Sequence, residues 1–107
     1  MPESELPIIQ KTYDLLCWYI PHVNKMPRNH RFGLGDRIAT SLYEILDGLI
    51  RAKFSTSKKD ILKELNVQLE ILRFQTRLLK EFQVFNNRQY EFASTLILEI
   101  GSMLGEW

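Results

Sequence analysis

The chain has 107 residues, enough for one domain and no more, so a single domain spanning residues 1–107 is expected. Hydrophobic residues make up 45% and charged residues 25%, the balance of a chain that folds and not of a disordered one. One cysteine rules out an internal disulfide framework, no apolar run approaches the ~20 residues of a membrane span, and the start MPESELP lacks the basic and apolar regions of a secretion signal, so a cytoplasmic location without a membrane partner is expected.

The first helix is predicted from Leu6 or Pro7 to Tyr19 or Ile20, with Ser4 as a cap and Pro7 tolerated in the first turn. Ile9, Tyr13, Leu16, Cys17 and Ile20 repeat on one face, and Leu15, Trp18 and Tyr19 widen it. Cys17 is expected to be a small buried apolar residue. Pro21 lacks an amide hydrogen and crowds the turn before it, so it should kink or end this helix, leaving Val23 and Met26 to pack near the end of the fold.

The start of the second helix has two readings. Pro27 as a first-turn proline puts it near Met26, whereas Gly33 and Gly35 argue for a start nearer Asp36. The early start is preferred, with Phe32 and Leu34 facing the core beside Ile38 and Leu42. Ile38, Leu42, Ile45, Leu46 and Leu49 form a clear stripe that ends near Lys53. Gly48 interrupts it without a capping role, which suits close approach of another helix.

The third helix organises the rest. It is capped by Thr56 or Ser57, with Asp60 completing a weak capping box after Ser57, and it runs to about Val84 as a rod of roughly 40 Å. Ile61, Leu65, Leu69, Leu72 and Leu79 fall on one side. Val67, Ile71, Phe74, Leu78, Phe82 and Phe85 make a second apolar stripe, which calls for cover from another subunit. Asn86-Asn87 form a turn, and a fourth helix runs from Arg88 to Leu104 with Tyr90, Ala93, Ile97, Ile100 and Leu104 on one face. Phe92, Leu96 and Met103 broaden that face, Gly105 stops the helix, and Trp107 is placed to fold back. Four helices with short links predict an all-α, up-down-up-down antiparallel bundle, assembled as a homo-oligomer through the third helix.

The net charge is only +1, but it is unevenly spread. Residues 1–24 carry one Lys against three acids, residues 25–88 thirteen Lys or Arg against seven acids, and residues 89–107 three acids alone. Lys25, Arg28, His30, Arg31 and Arg37 are opposed only by Asp36, and Arg73, Arg77 and Lys80 form a ladder on the third helix. Guanidinium groups at one end of a bundle can hold several phosphates without reading base sequence. The same pattern suits two other uses: contact with protein only, or a structural face in which Glu70 and Glu81 pair with Arg73, Arg77 and Lys80. Catalysis has little support. His22 and His30 lack partners at metal-binding spacing, Glu44, Asp47 and Glu99 make no convincing carboxylate site, and Gly33-Leu34-Gly35 is not followed by a phosphate-binding Lys. No enzyme activity and no cofactor are expected.

The segment IIQKTYDLLCWYIPHVNKMPRNHRFGLGDRI, most distinctively Lys25-Met-Pro-Arg28 with Arg31-Phe32, Leu34-Gly35 and Arg37, resembles the accessory variability proteins (Avd) of diversity-generating retroelements. RQYEFA (88–93) and EIGSMLGEW (99–107) match as well. These proteins are grouped with the four-helix bundle proteins encoded in intervening sequences of large-subunit ribosomal RNA. The resemblance implies a pentameric barrel of bundles, partnered by the element's reverse transcriptase and by nucleic acid, RNA or DNA, that supports mutagenic reverse transcription without polymerising. On this chain it makes Lys25, Arg28, Arg31, Arg37, Arg73, Arg77 and Arg88 candidates for enzyme or nucleic-acid contact, beside His30 and Lys80 from the charge pattern. The second reading is a structural oligomer of the ribosomal intervening-sequence type that contacts protein only.

Overall fold

In the computed structural model, which describes residues 6–107, four long helices alternate in direction around one core. They are α1 (Pro7–Asn24), α2 (Asp36–Lys53), α3 (Lys59–Glu81) and α4 (Asn87–Gly105). Sequence neighbours pack side by side and α4 closes onto α1, the up-down-up-down arrangement expected. The predicted Ser4 cap lies outside the described residues.

The core is built from the stripes that periodicity marks. Leu65, Leu69, Leu72 and Leu79 of α3 meet Ile38, Leu42, Ile45 and Leu49 of α2 and Ala93, Ile97, Ile100 and Leu104 of α4. Each buried Leu or Ile contributes about 1.5–3 kcal/mol relative to exposure. Gly48 serves the close approach expected of it: a Cβ there would sit 2.6 Å from Leu65 Cδ2, so α2 and α3 touch at this point because a side chain is missing. Polar contacts fix the antiparallel register. Gln68 donates to Glu44 at 3.0 Å, Ser41 to Gln75 at 3.1 Å, and Lys11 of α1 to Glu99 of α4 at 2.9 Å. Across the diagonal, the Tyr19 hydroxyl and Thr76 Oγ1 lie 2.7 Å apart, both fully buried. Thr12, also buried, donates its hydroxyl to the Ile8 carbonyl at 2.8 Å.

Several local expectations need correction. Pro21 does not end α1, which continues to Asn24 and carries Val23 into the core. Pro21 and Cys17, whose carbonyl Pro21 leaves without its usual donor, both lie on the exposed face, where solvent access makes the lost bond tolerable. Cys17 is therefore exposed, not buried, as is Tyr13; the core face of α1 is instead Ile8, Ile9, Thr12, Leu15, Leu16, Tyr19 and Val23. Neither Thr56 nor Ser57 caps α3. The cap is Lys58, whose side chain makes no capping bond, while Ser55 Oγ donates to the Ser57 carbonyl and accepts from the Ser57 amide. At its far end α3 stops at Glu81. Gln83, at φ 62°, takes the left-handed position, and Val84 and Gln83 donate to the Leu79 and Lys80 carbonyls. That reversal turns Phe85 into the core, so it does not belong to the outer stripe. A full capping box between Asn86 and Gln89 starts α4.

Ahead of α2 both readings hold in part. A helical turn, Arg28–His30, follows Pro27, then five residues of π-helix, Arg31–Gly35, lead into α2. The widened turn closes with the Asp36 amide donating to the Arg31 carbonyl. The extra residue shifts the side-chain register, so Leu34 packs on the core but Phe32 points to solvent, against expectation.

Candidate nucleic-acid and partner interface

Alternation of direction brings the end of α1, the Arg28–Gly35 lead-in, the end of α3 and the start of α4 to one end of the bundle. Ring contacts across this end confirm the meeting: His30 stacks on Phe82 at 5.5 Å and 15°, and the Lys80 ammonium lies 4.9 Å over the Tyr90 ring. Residues 16–40 and 72–95, which build this half, carry eight Lys or Arg against three acids, net +5. The other described residues carry six against eight, net −2. A chain of near-zero net charge thus has a strongly polarised field.

The nine candidate residues do not play equal parts. Lys25, Arg28, Arg37, Arg77, Lys80 and Arg88 are exposed. Half-buried Arg31 donates from Nη1 to the Asn24 carbonyl at 3.4 Å, a weak tether, with its guanidinium 4.7 Å from the Phe32 ring centre. Arg28 approaches the same ring at 6.0 Å. His30 is held by its stack on Phe82. Arg88 sits in the first turn of α4, where the helix dipole favours acids, so it is not a stabilising device there.

Arg73 stands apart. It forks onto Glu70 at 2.6 and 3.1 Å and lies over Phe74 at 4.9 Å. The guanidinium hydrogen bond holds the Glu70 carboxyl below its ordinary range and raises the Arg73 group above its own. Among the described residues this is the one ion pair that any of the nine candidates makes. Of the pairings that a structural face would use, Glu70 with Arg73 forms, and among the described residues Glu81 pairs with neither Arg77 nor Lys80. His22 belongs to the core side: its Nδ1 donates to the Trp18 carbonyl at 2.7 Å and its ring packs on Trp18 and Phe85.

Beside the basic end runs the outer stripe of α3. Val67, Ile71, Phe74, Leu78 and Phe82 are each 41–50% exposed. Arg37, Asn66, Glu70 and Gln75 join four of them around a shallow groove of about 610 Å³. A second apolar patch lies between α1 and α2, where Tyr13, Ile50 and Phe54 are exposed beside Ile9 and Leu46; of these, the sequence stripes omit Ile50 and Phe54. Phe32 is a surface ring that helical periodicity misses, since a regular helix sends it inward and only the π-turn sends it out. Among the described residues no three His, Cys, Asp or Glu side chains gather to hold a metal ion, and no helix is long and apolar enough to cross a membrane.

No curated protein matches the sequence. A family profile described as bAvd-like matches residues 6–107, the whole of the bundle. The all-α fold and the motif-bearing segment agree with that match: the chain belongs to the bAvd-like family, related to the Avd accessory proteins of diversity-generating retroelements, and is a non-enzymatic accessory protein.

Proposed function

We propose that this protein binds the reverse transcriptase and nucleic acid, template RNA or cDNA, of a diversity-generating retroelement during mutagenic reverse transcription. The basic end of the bundle makes the contact. The observation that carries this reading is the set of cations at one end that, Arg73 apart, enter no ion pair among the described residues. Cations whose role was structural would be expected to face acids; Lys25, Arg28, Arg37, Arg77, Lys80 and Arg88 are instead exposed to solvent, where phosphates can replace their counterions. Chains assemble into a homo-oligomer, a pentameric barrel, in which Val67, Ile71, Phe74 and Leu78 on the outer face of α3 meet a neighbouring subunit. The assembly repeats the basic end around a ring and multiplies its field.

Replacing Arg28, Arg31 and Arg37 together with Ala tests the contact. For each phosphate that the variant no longer neutralises, the slope of log affinity against log salt should fall by about 0.7–0.9. Unchanged affinity and slope at low salt would remove the proposal. The half-exposed apolar faces favour a second reading, an oligomer that contacts protein only. It predicts that the triple variant keeps its assembly and that neither it nor the parent binds RNA or DNA.

A further inference from the structure

The basic end carries aromatic rings among its cations. Phe32 is 59% exposed, with the Arg31 and Arg28 guanidiniums 4.7 and 6.0 Å from its ring centre. Phe82 is 50% exposed and carries the His30 ring in a near-parallel stack. Neither ring is needed by the core, which is filled by Leu, Ile and the buried Tyr19 and Phe85. If phosphates were the whole ligand, polar residues between the cations would serve better, because a bare ring leaves apolar surface in water.

We infer that Phe32 and the His30–Phe82 stack are platforms for unpaired bases, so that the strand held at this end is single-stranded. This rests on the nucleic-acid reading above and adds the form of the ligand. A base in a duplex already has its faces covered by its neighbours and gains nothing from a surface ring. An unpaired base has a free face, and stacking it on Phe or on a guanidinium plane is indifferent to sequence. Arg28 and Arg31 flank Phe32, so a base on the ring brings its own phosphate within reach of a cation. Rings supply the preference for single strands, and the cations supply the salt dependence.

The test uses the full chain and three fluorescent probes of about 15 units: oligothymidylate, an abasic strand of equal length, and a duplex. Anisotropy titrations at about 50 and about 200 mM salt give affinities and slopes. Oligothymidylate is expected to bind on the order of tenfold tighter than the abasic strand. Phe32→Leu, which keeps apolar bulk but removes the ring, should cut that advantage several-fold and leave the salt slope unchanged; Phe82→Leu should act in the same direction. Equal binding of the thymidylate and abasic strands overturns the inference while leaving phosphate contact intact. So does a base advantage that survives Phe32→Leu, including the case where Phe82→Leu lowers the assembled mass and thereby assigns that ring to a subunit contact. Failure of all three probes to bind at low salt removes this inference and the nucleic-acid reading together.

Discussion

Phe74→Glu separates the stability of the bundle from that of the assembly. Phe74 is 50% exposed in the isolated chain. A phenylalanine side chain buries roughly 150–250 Å² when fully covered, so about 100 Å² remains for a neighbour. At about 25 cal/mol per Å², covering it contributes about 2.5 kcal/mol to each subunit contact. Val67, Ile71 and Leu78, exposed to a similar degree, bring the strip to roughly 300 Å² of the ~800 Å² that an ordinary interface takes from each side. Glutamate loses the apolar term and must also lose water from its carboxylate on docking, so association should weaken by at least about 70-fold. Within the protomer the loss is small. The Arg73 cation–π contact goes, a matter of about 0.5–1 kcal/mol at an exposed site, and Glu70 lies one turn back as a like charge worth a few tenths. Light scattering should therefore show a falling mass at micromolar protein, while thermal unfolding by circular dichroism is nearly unchanged under conditions where both proteins are monomeric. Leu78→Glu should repeat the result. A parent protein that is already a monomer, or a variant that keeps the assembled mass, refutes the reasoning.

The buried Tyr19–Thr76 pair makes an asymmetric prediction. Thr76→Val strands the phenol without a partner and should cost about 1–3 kcal/mol in urea unfolding; Tyr19→Phe should cost less, because the Thr76 hydroxyl can turn to a backbone carbonyl one turn back. Equal losses in the two variants would contradict this account. Burial also holds the Tyr19 phenol far above its ordinary value, with the Thr76 hydrogen bond opposing weakly. The unfolded chain then releases that proton near pH 10 and the folded one only at higher pH, so this stability is complete below about pH 10 and falls above it by up to about 1.4 kcal/mol per pH unit. Urea midpoints at pH 8 and pH 11 should show a smaller alkaline loss in Tyr19→Phe than in the parent. Gln83→Gly should raise stability by about 0.5–1 kcal/mol, read as a few degrees in Tm, because only glycine takes the left-handed turn after α3 without steric strain; an unchanged or lower Tm counts against it.

Much of the candidate interface was legible before the fold. The run Lys25–Arg37 and the ladder Arg73, Arg77, Lys80 are visible as charge, and four antiparallel helices suffice to bring their ends together. What charge pattern left open was whether acids neutralise them. That depends on side-chain reach across turns, and among the described residues only Glu70 reaches an arginine of this group.

The sequence by itself determined the number and direction of the helices, the inner faces of α2, α3 and α4, and the role of Gly48, because each follows from helical period and from side-chain size at a single position. Only the tertiary structure decided the outward turn of Phe32, the continuation of α1 past Pro21, and the inward turn of Phe85. Each depends on a backbone hydrogen bond displaced from the regular pattern — one residue farther at the π-turn, one lost at Pro21, one shifted in spacing at Gln83 — and such a bond is chosen by the surroundings on both sides of it, which no local run of residues contains.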